Sequence, residues 1–145
     1  MSEVFHDPHF ELDERLKNDT LLIAQFPLCD VLMMNETRYP WFVLVPRISN
    51  LRELYELSSE QRSQFDLESD RLSRAVMSAF KGEKLNVAAL GNVVSQLHVH
   101  HIVRFENDAA WPAPVWGKFP VEPMSEALID ERRSSLVASL EPFDT

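Results

Sequence analysis

The sequence predicts an α+β domain: a five-stranded antiparallel sheet, one long helix between its third and fourth strands, and a C-terminal helix. Three observations carry this. Short apolar runs joined by short polar or Pro-containing links read as strands in hairpins. Ser58-Ser59-Glu60-Gln61 is a capping box in front of a long stretch of helical periodicity. The stretch Gln96-Leu97-His98-Val99-His100 alternates polar and apolar residues, the period of a strand with one face in the core.

In chain order, residues 1–20 are polar and mixed. Asp7-Pro8-His9 signals a turn, and Phe10, Leu12 and Leu16 suit a short helical turn over 11–17. His6 and His9 are expected in solvent. A strand over 20–26 stops at Pro27, a second covers 31–35, and 36–40 forms the hairpin loop to a third over 41–46. The third is almost continuously apolar, which calls for a central position with both faces covered.

Residues 48–57 form a loop with a helical turn at Leu51, Leu54 and Tyr55. The capped helix should reach Phe80, with Phe65, Leu72, Val76 and Ala79 on its core stripe and its charges on a solvated face. Gly82 suits the position just past its end. A fourth strand covers 85–90, Gly91-Asn92 turns the chain, and the fifth strand runs over 94–105. Residues 111–117 hold two Trp and two Pro between Trp111 and Gly117. They read as a stiff apolar segment at a site rim, at a subunit contact, or as a strap over the core. A linker at 120–123 leads to a helix over 125–140 with Ser125 as N-cap, and the last five residues should fray.

Whole-chain properties bound the function. A length of 145 residues is one domain, 1–145, with a real core. The net charge of −9 argues against nucleic acid as a partner, though not against a small nucleotide. The single cysteine, Cys29, makes no intrachain disulfide, lies among apolar neighbours, and fits a reducing cytoplasmic setting. The first seven residues lack the pattern of a signal peptide, and no run is long enough to span a membrane. Repeats, low-complexity tracts and a Gly-rich phosphate loop are absent, and only three Gly occur. Ligand contacts must therefore come mainly from side chains and strand edges.

Three of the five histidines are His98, His100 and His101. On a strand, Gln96, His98 and His100 form one polar column with spacings of roughly 6–7 Å, and His101 points to the other face. Such a column suits nucleophilic attack by a neutral imidazole. It also suits zinc ligation, or plain hydrogen-bonded histidines.

Gln96-Leu97-His98-Val99-His100-His101-Ile102 resembles the signature of the histidine triad (HIT) family, His-x-His-x-His followed by two apolar residues. Asn86-Val87-Ala88-Ala89-Leu90-Gly91-Asn92 resembles the family's Asn…Gly-Gln approach, with Asn92 at the Gln position. Val31-Leu32-Met33-Met34-Asn35 and Phe42-Val43-Leu44-Val45-Pro46-Arg47 resemble its nucleotide-cradling strands. The likeness covers about residues 20–116. The departures are Gln96 at the first triad position, polar His101 after the third, and Trp41-Phe42 where Gly-His is common.

The resemblance implies a HIT-like α+β fold, commonly homodimeric, with a nucleotide across the sheet and no cofactor or metal. It implies hydrolysis or transfer at the α-phosphate of dinucleoside polyphosphates (diadenosine tetraphosphate-type) or nucleoside phosphoramidates, through a nucleotidyl-histidine. His98 is then the nucleophile, and His100 holds an oxygen or passes a proton. Gln96 and Asn92 supply neutral donors, and Asn35 meets the sugar. The alternatives are a non-catalytic nucleotide-binding or dimerisation module, suggested by the incomplete triad, and a zinc hydrolase using His98, His100 and a third ligand.

Overall fold

The computed structural model describes residues 5–143. The expectations for the first seven and last five residues fall partly outside that range. Helix α1 (Glu14–Asp19) begins on Asp13, whose side chain accepts the Arg15 N–H. Strands β1 (Thr20–Gln25), β2 (Cys29–Met34) and β3 (Trp41–Pro46) follow as two hairpins. Helix α2 (Ser59–Phe80) starts in the expected Ser58/Gln61 capping box. Strands β4 (Lys84–Ala89) and β5 (Val99–Arg104) and helix α3 (Glu126–Ser139) complete the chain.

The sheet order is β1-β2-β3-β5-β4, antiparallel throughout. β3 is central and all six of its residues are buried, as its apolar run requires. β5 lies beside it, with His100 opposite Val43 and His101 opposite Phe42. Alternation then assigns faces. Val99 and Val103 pack into a core shared with α2 and α3 through Phe65, Leu72, Val76 and Leu136. Ile102 belongs to a second apolar cluster on the opposite face, with Trp41, Val43, Val45 and Val115.

Several expectations change. β5 begins at Val99 rather than 94, because residues 94–98 peel away from the sheet. Val94 sinks into the second cluster, and the Leu97 N–H bonds to the Leu51 carbonyl at 2.9 Å. The sheet face opposite α2 is largely covered by that second cluster.

The charged side of α2 is not wholly solvated either. Glu68 is fully buried, with its oxygens accepting the N–H groups of Leu28 and Cys29, each at 2.8 Å. Lys81, not Gly82, takes the left-handed turn that ends α2, at φ 53°. Gly82 instead sits where a Cβ would collide with Val103. On α3, Val137 is exposed and Arg132 is buried in its place. The Arg132 guanidinium donates to the carbonyls of Glu36, Thr37 and Tyr39. Among the described residues, no helix is long and apolar enough to cross a membrane.

Candidate active site

A groove of about 380 Å³ opens on the sheet face opposite α2. His98, His100, Trp41 and Trp116 line one part of it, and Gly91, Asn92 and Val93 another. Leu16 and Met34 add apolar wall, and the exposed ion pair Arg15–Asp19, 3.8 Å apart, stands at its edge.

His98 and His100 face the same way, with ring centroids 5.0 Å apart and planes at 71°. Both are mostly covered, at 9% and 5% exposure, so the groove reaches only part of each ring. Their backbone neighbours fix their protonation pattern. Nδ1 of His98 lies 2.7 Å from the Gln96 carbonyl oxygen. A carbonyl can only accept, so this nitrogen carries the proton and Nε2 keeps the lone pair. His100 is the reverse. Its Nδ1 accepts from the Trp41 indole N–H at 2.9 Å, so in the neutral ring Nε2 carries the proton. The site thus sets one ring as an electron-pair donor beside another as an N–H donor.

Burial, followed by the charges of His98 and His101, pushes the His100 pKa down to about 3. The rings of Trp41 and Trp116 enclose it, with centroids 5.7 and 5.1 Å away. His101 points to the α2 side, as the alternation requires. Its Nδ1–H donates to the Val99 carbonyl at 3.0 Å, and Ser69 Oγ lies 2.8 Å from Nε2. Burial holds its pKa down to about 4.

The structure brings together His98, His100 and Asn92, but not Gln96. Because 94–98 leave the sheet, the Gln96 side chain does not join the column. Its amide bridges the N-terminal segment instead, accepting from Asp13 N–H and donating to the Glu11 carbonyl, both at 2.9 Å. It lines a neighbouring depression with His9 and Ser49 rather than the His98 groove. What Gln96 gives the site directly is its backbone carbonyl. Asn35 stands next to the groove residue Met34, and its Oδ1 accepts the Met124 N–H at 2.8 Å.

One contributor was hidden in the sequence. Trp41 read as an apolar strand residue and as a departure from the family's Gly-His pair, yet its N–H orients His100. Trp116 comes from the stiff segment read as a site rim, a subunit contact or a strap over the core, and it lines the groove while packing against the second cluster. Among the described residues, no three His, Cys, Asp or Glu groups converge as metal ligands. His101, a possible third zinc ligand, faces away.

The groove lies beside a strand that presents paired imidazoles over an antiparallel sheet. A family model for the HIT domain matches residues 15–107. The chain belongs to the HIT family, broadly one of nucleotide hydrolases and transferases. A histidine triad protein of Marinobacter aquaeolei VT8 is 50% identical, with a TM-score of 0.87 over 90% of this chain and 96% of that one. One from Bradyrhizobium japonicum is 42% identical, with a TM-score of 0.90 over 92% of this chain and 100% of the other. A hypothetical histidine triad nucleotide-binding protein of Sulfolobus tokodaii is 17% identical, with a TM-score of 0.58 over 82% and 85%, a likeness of fold alone. No curated protein matches the chain.

Proposed function

We propose that the groove binds a nucleotide and that His98 Nε2 attacks its α-phosphorus. The substrates are dinucleoside polyphosphates or nucleoside phosphoramidates. The observation that carries this is the 2.7 Å contact between His98 Nδ1 and the Gln96 carbonyl, which leaves an unprotonated Nε2 facing the groove. Attack forms the N–P bond, expels the leaving group, and gives a nucleotidyl-His98. Its positive ring keeps the Nδ1–H bond to Gln96. Water then displaces the ring and releases the nucleoside monophosphate.

His100 Nε2–H and the Asn92 amide donate to the non-bridging oxygens, where charge builds in the transition state. The Asn35 amide nitrogen, positioned by the Oδ1 bond to Met124, donates to a sugar hydroxyl. Leu16, Met34 and Val93 give the base an apolar bed. A homodimer formed along β4, whose flank exposes Val87 and Leu90, belongs to the same reading; size-exclusion chromatography tests it.

A zinc reading is disfavoured by bonding as well as by the position of His101. Ligation through His100 Nε2 would need lone pairs on both ring nitrogens while Trp41 still donates to one of them. Incubation with diadenosine tetraphosphate and with an AMP-amine phosphoramidate, with and without chelator, followed by chromatography, tests all three readings. Chelator-resistant release of AMP is expected. Loss of activity with chelator would support zinc, and AMP binding without turnover would leave a binding module.

A further inference from the structure

The polar groups around the reacting atoms of this groove offer few sources of a proton. His98 Nδ1–H is engaged with the Gln96 carbonyl. The Gln96 amide is engaged with Glu11 and Asp13. An amide such as Asn92 does not give up a proton near neutral pH. That leaves His100 as the candidate acid, and its partner decides the matter. An indole N–H donates and never accepts. While Trp41 donates to His100 Nδ1, that nitrogen cannot take up a proton, so His100 cannot become an imidazolium. Trp41 is itself held, 7% exposed in the second core and edge-on to Trp116 with centroids 6.0 Å apart. Covered by Trp41 and Trp116, His100 has no room to turn its ring over.

We propose that Trp41 is a positioning residue that locks His100 as a fixed neutral N–H donor, and that this site consequently selects nucleotides whose leaving group departs as a stable anion. This rests on the reading of His98 as nucleophile. When His98 Nε2 bonds to phosphorus, the bond to the leaving group breaks, P–O in an anhydride or ester and P–N in a phosphoramidate, and its electron pair stays on the departing oxygen or nitrogen. A phosphate or polyphosphate holds that pair without a proton. An amine or alkoxide does not, and the site has no group to supply one. Phosphoanhydrides of nucleoside monophosphates are therefore the favoured class, ahead of phosphoramidates and alkyl esters. The titratable groups facing this region are His98 on the same stretch and the Arg15–Asp19 pair at the groove edge, while His101 lies on the α2 side of the strand. Asp19 is exposed and paired to Arg15, so it is no dedicated proton donor.

The test measures kcat/KM of the full chain for diadenosine tetraphosphate, an AMP-amine phosphoramidate and a series of adenosine 5′-aryl phosphates graded in leaving-group pKa. A general acid is worth about 10²–10⁴-fold, so the anhydride should exceed the phosphoramidate by at least about 100-fold, with rate falling steeply along the aryl series. Trp41→Phe keeps the ring but removes the N–H. It should cut the anhydride rate, compress that ratio by about tenfold or more and flatten the series as His100 becomes able to protonate. Nitrogen-15 NMR of the unaltered protein gives a readout that needs no variant: His100 should show an unprotonated Nδ1 and a protonated Nε2 from pH 5 to 8. Equal turnover of anhydride and phosphoramidate, or an Nδ1-protonated His100, overturns this inference and leaves His98 catalysis standing. No turnover of any substrate removes the nucleophile reading and this inference with it.

Discussion

His100 and His101 are adjacent, both buried, and both neutral, yet they sit in opposite halves of the molecule. On the α2 side, His101 has both nitrogens engaged by the protein, one by the Val99 carbonyl and one by Ser69. On the groove side, His100 has one nitrogen held by Trp41, and the other makes no hydrogen bond with the described residues. The first arrangement makes a packing residue. The second leaves a ring nitrogen free to meet a ligand, whereas a group with every lone pair and proton committed has nothing to offer one. His98 follows the second pattern through the Gln96 carbonyl. Burial alone does not tell the two kinds of histidine apart; the unfilled valence does.

The contrast breaks most severely at His98. His98→Ala should lower AMP release by about 10⁴-fold or more while AMP binding, measured by calorimetry, stays within a few-fold. Undiminished hydrolysis would show that this ring is not the nucleophile. The next largest effects should separate the adjacent pair. His100→Ala should lower kcat by about 10²-fold, the usual loss for one transition-state donor, with the melting temperature nearly kept. His101→Ala should do the opposite, costing about 2–4 kcal/mol in denaturant unfolding with kcat within a few-fold. A His101 variant that is stable but inactive would erase the distinction.

Acidity sharpens it further. Both rings have pKa values lowered in the folded state, from 6.5 to about 3 and about 4, so below pH 6.5 the unfolded chain binds protons that the folded chain refuses. Stability is therefore full above pH 6.5 and falls as pH drops toward 4. The slope is on the order of 1 kcal/mol per pH unit per ring. Urea unfolding at stepped pH measures this, and His101→Gln should remove about half of the slope. The smallest effect is expected from Gln96→His, a change of a few-fold in kcat or in leaving-group preference, without loss of the enzyme. Loss of nucleotide affinity at constant turnover would contradict that.

The fold was legible because its signals are local. The Ser58 capping box, the apolar run of β3 and the Pro and polar links each state their element in a few residues. The faces of β5 were legible by parity: Val99 and His101 inward to α2, His100 and Ile102 outward. The site was readable where parity held, and failed where the chain left the strand. Nothing in Gln96 itself announces that residues 94–98 bend to meet Leu51, or that Glu11 and Asp13 will claim its amide across more than eighty residues of sequence. Trp41 was missed for a related reason. An indole is both apolar bulk and a single polar handle, and only the partner strand shows which property is used. Glu68 lay on a face that read as solvated and Arg132 was not singled out, and each was drawn inside by unpaired backbone groups of another element.

The grip of α3 on the 36–40 loop reaches further than its place in the chain suggests. That loop begins beside Asn35 and ends at Trp41, so Arg132 and the Met124 N–H anchor a short connection, one end at Asn35 and the other leading to the strand beside His100. Residues 108–143 lie beyond the matched HIT segment, yet they supply Trp116, Met124 and Arg132 to its packing and its loop. A chain trimmed to residues 15–107 would keep every histidine of the signature and still lose Trp116 beside His100 and the anchors of the loop that leads to Trp41.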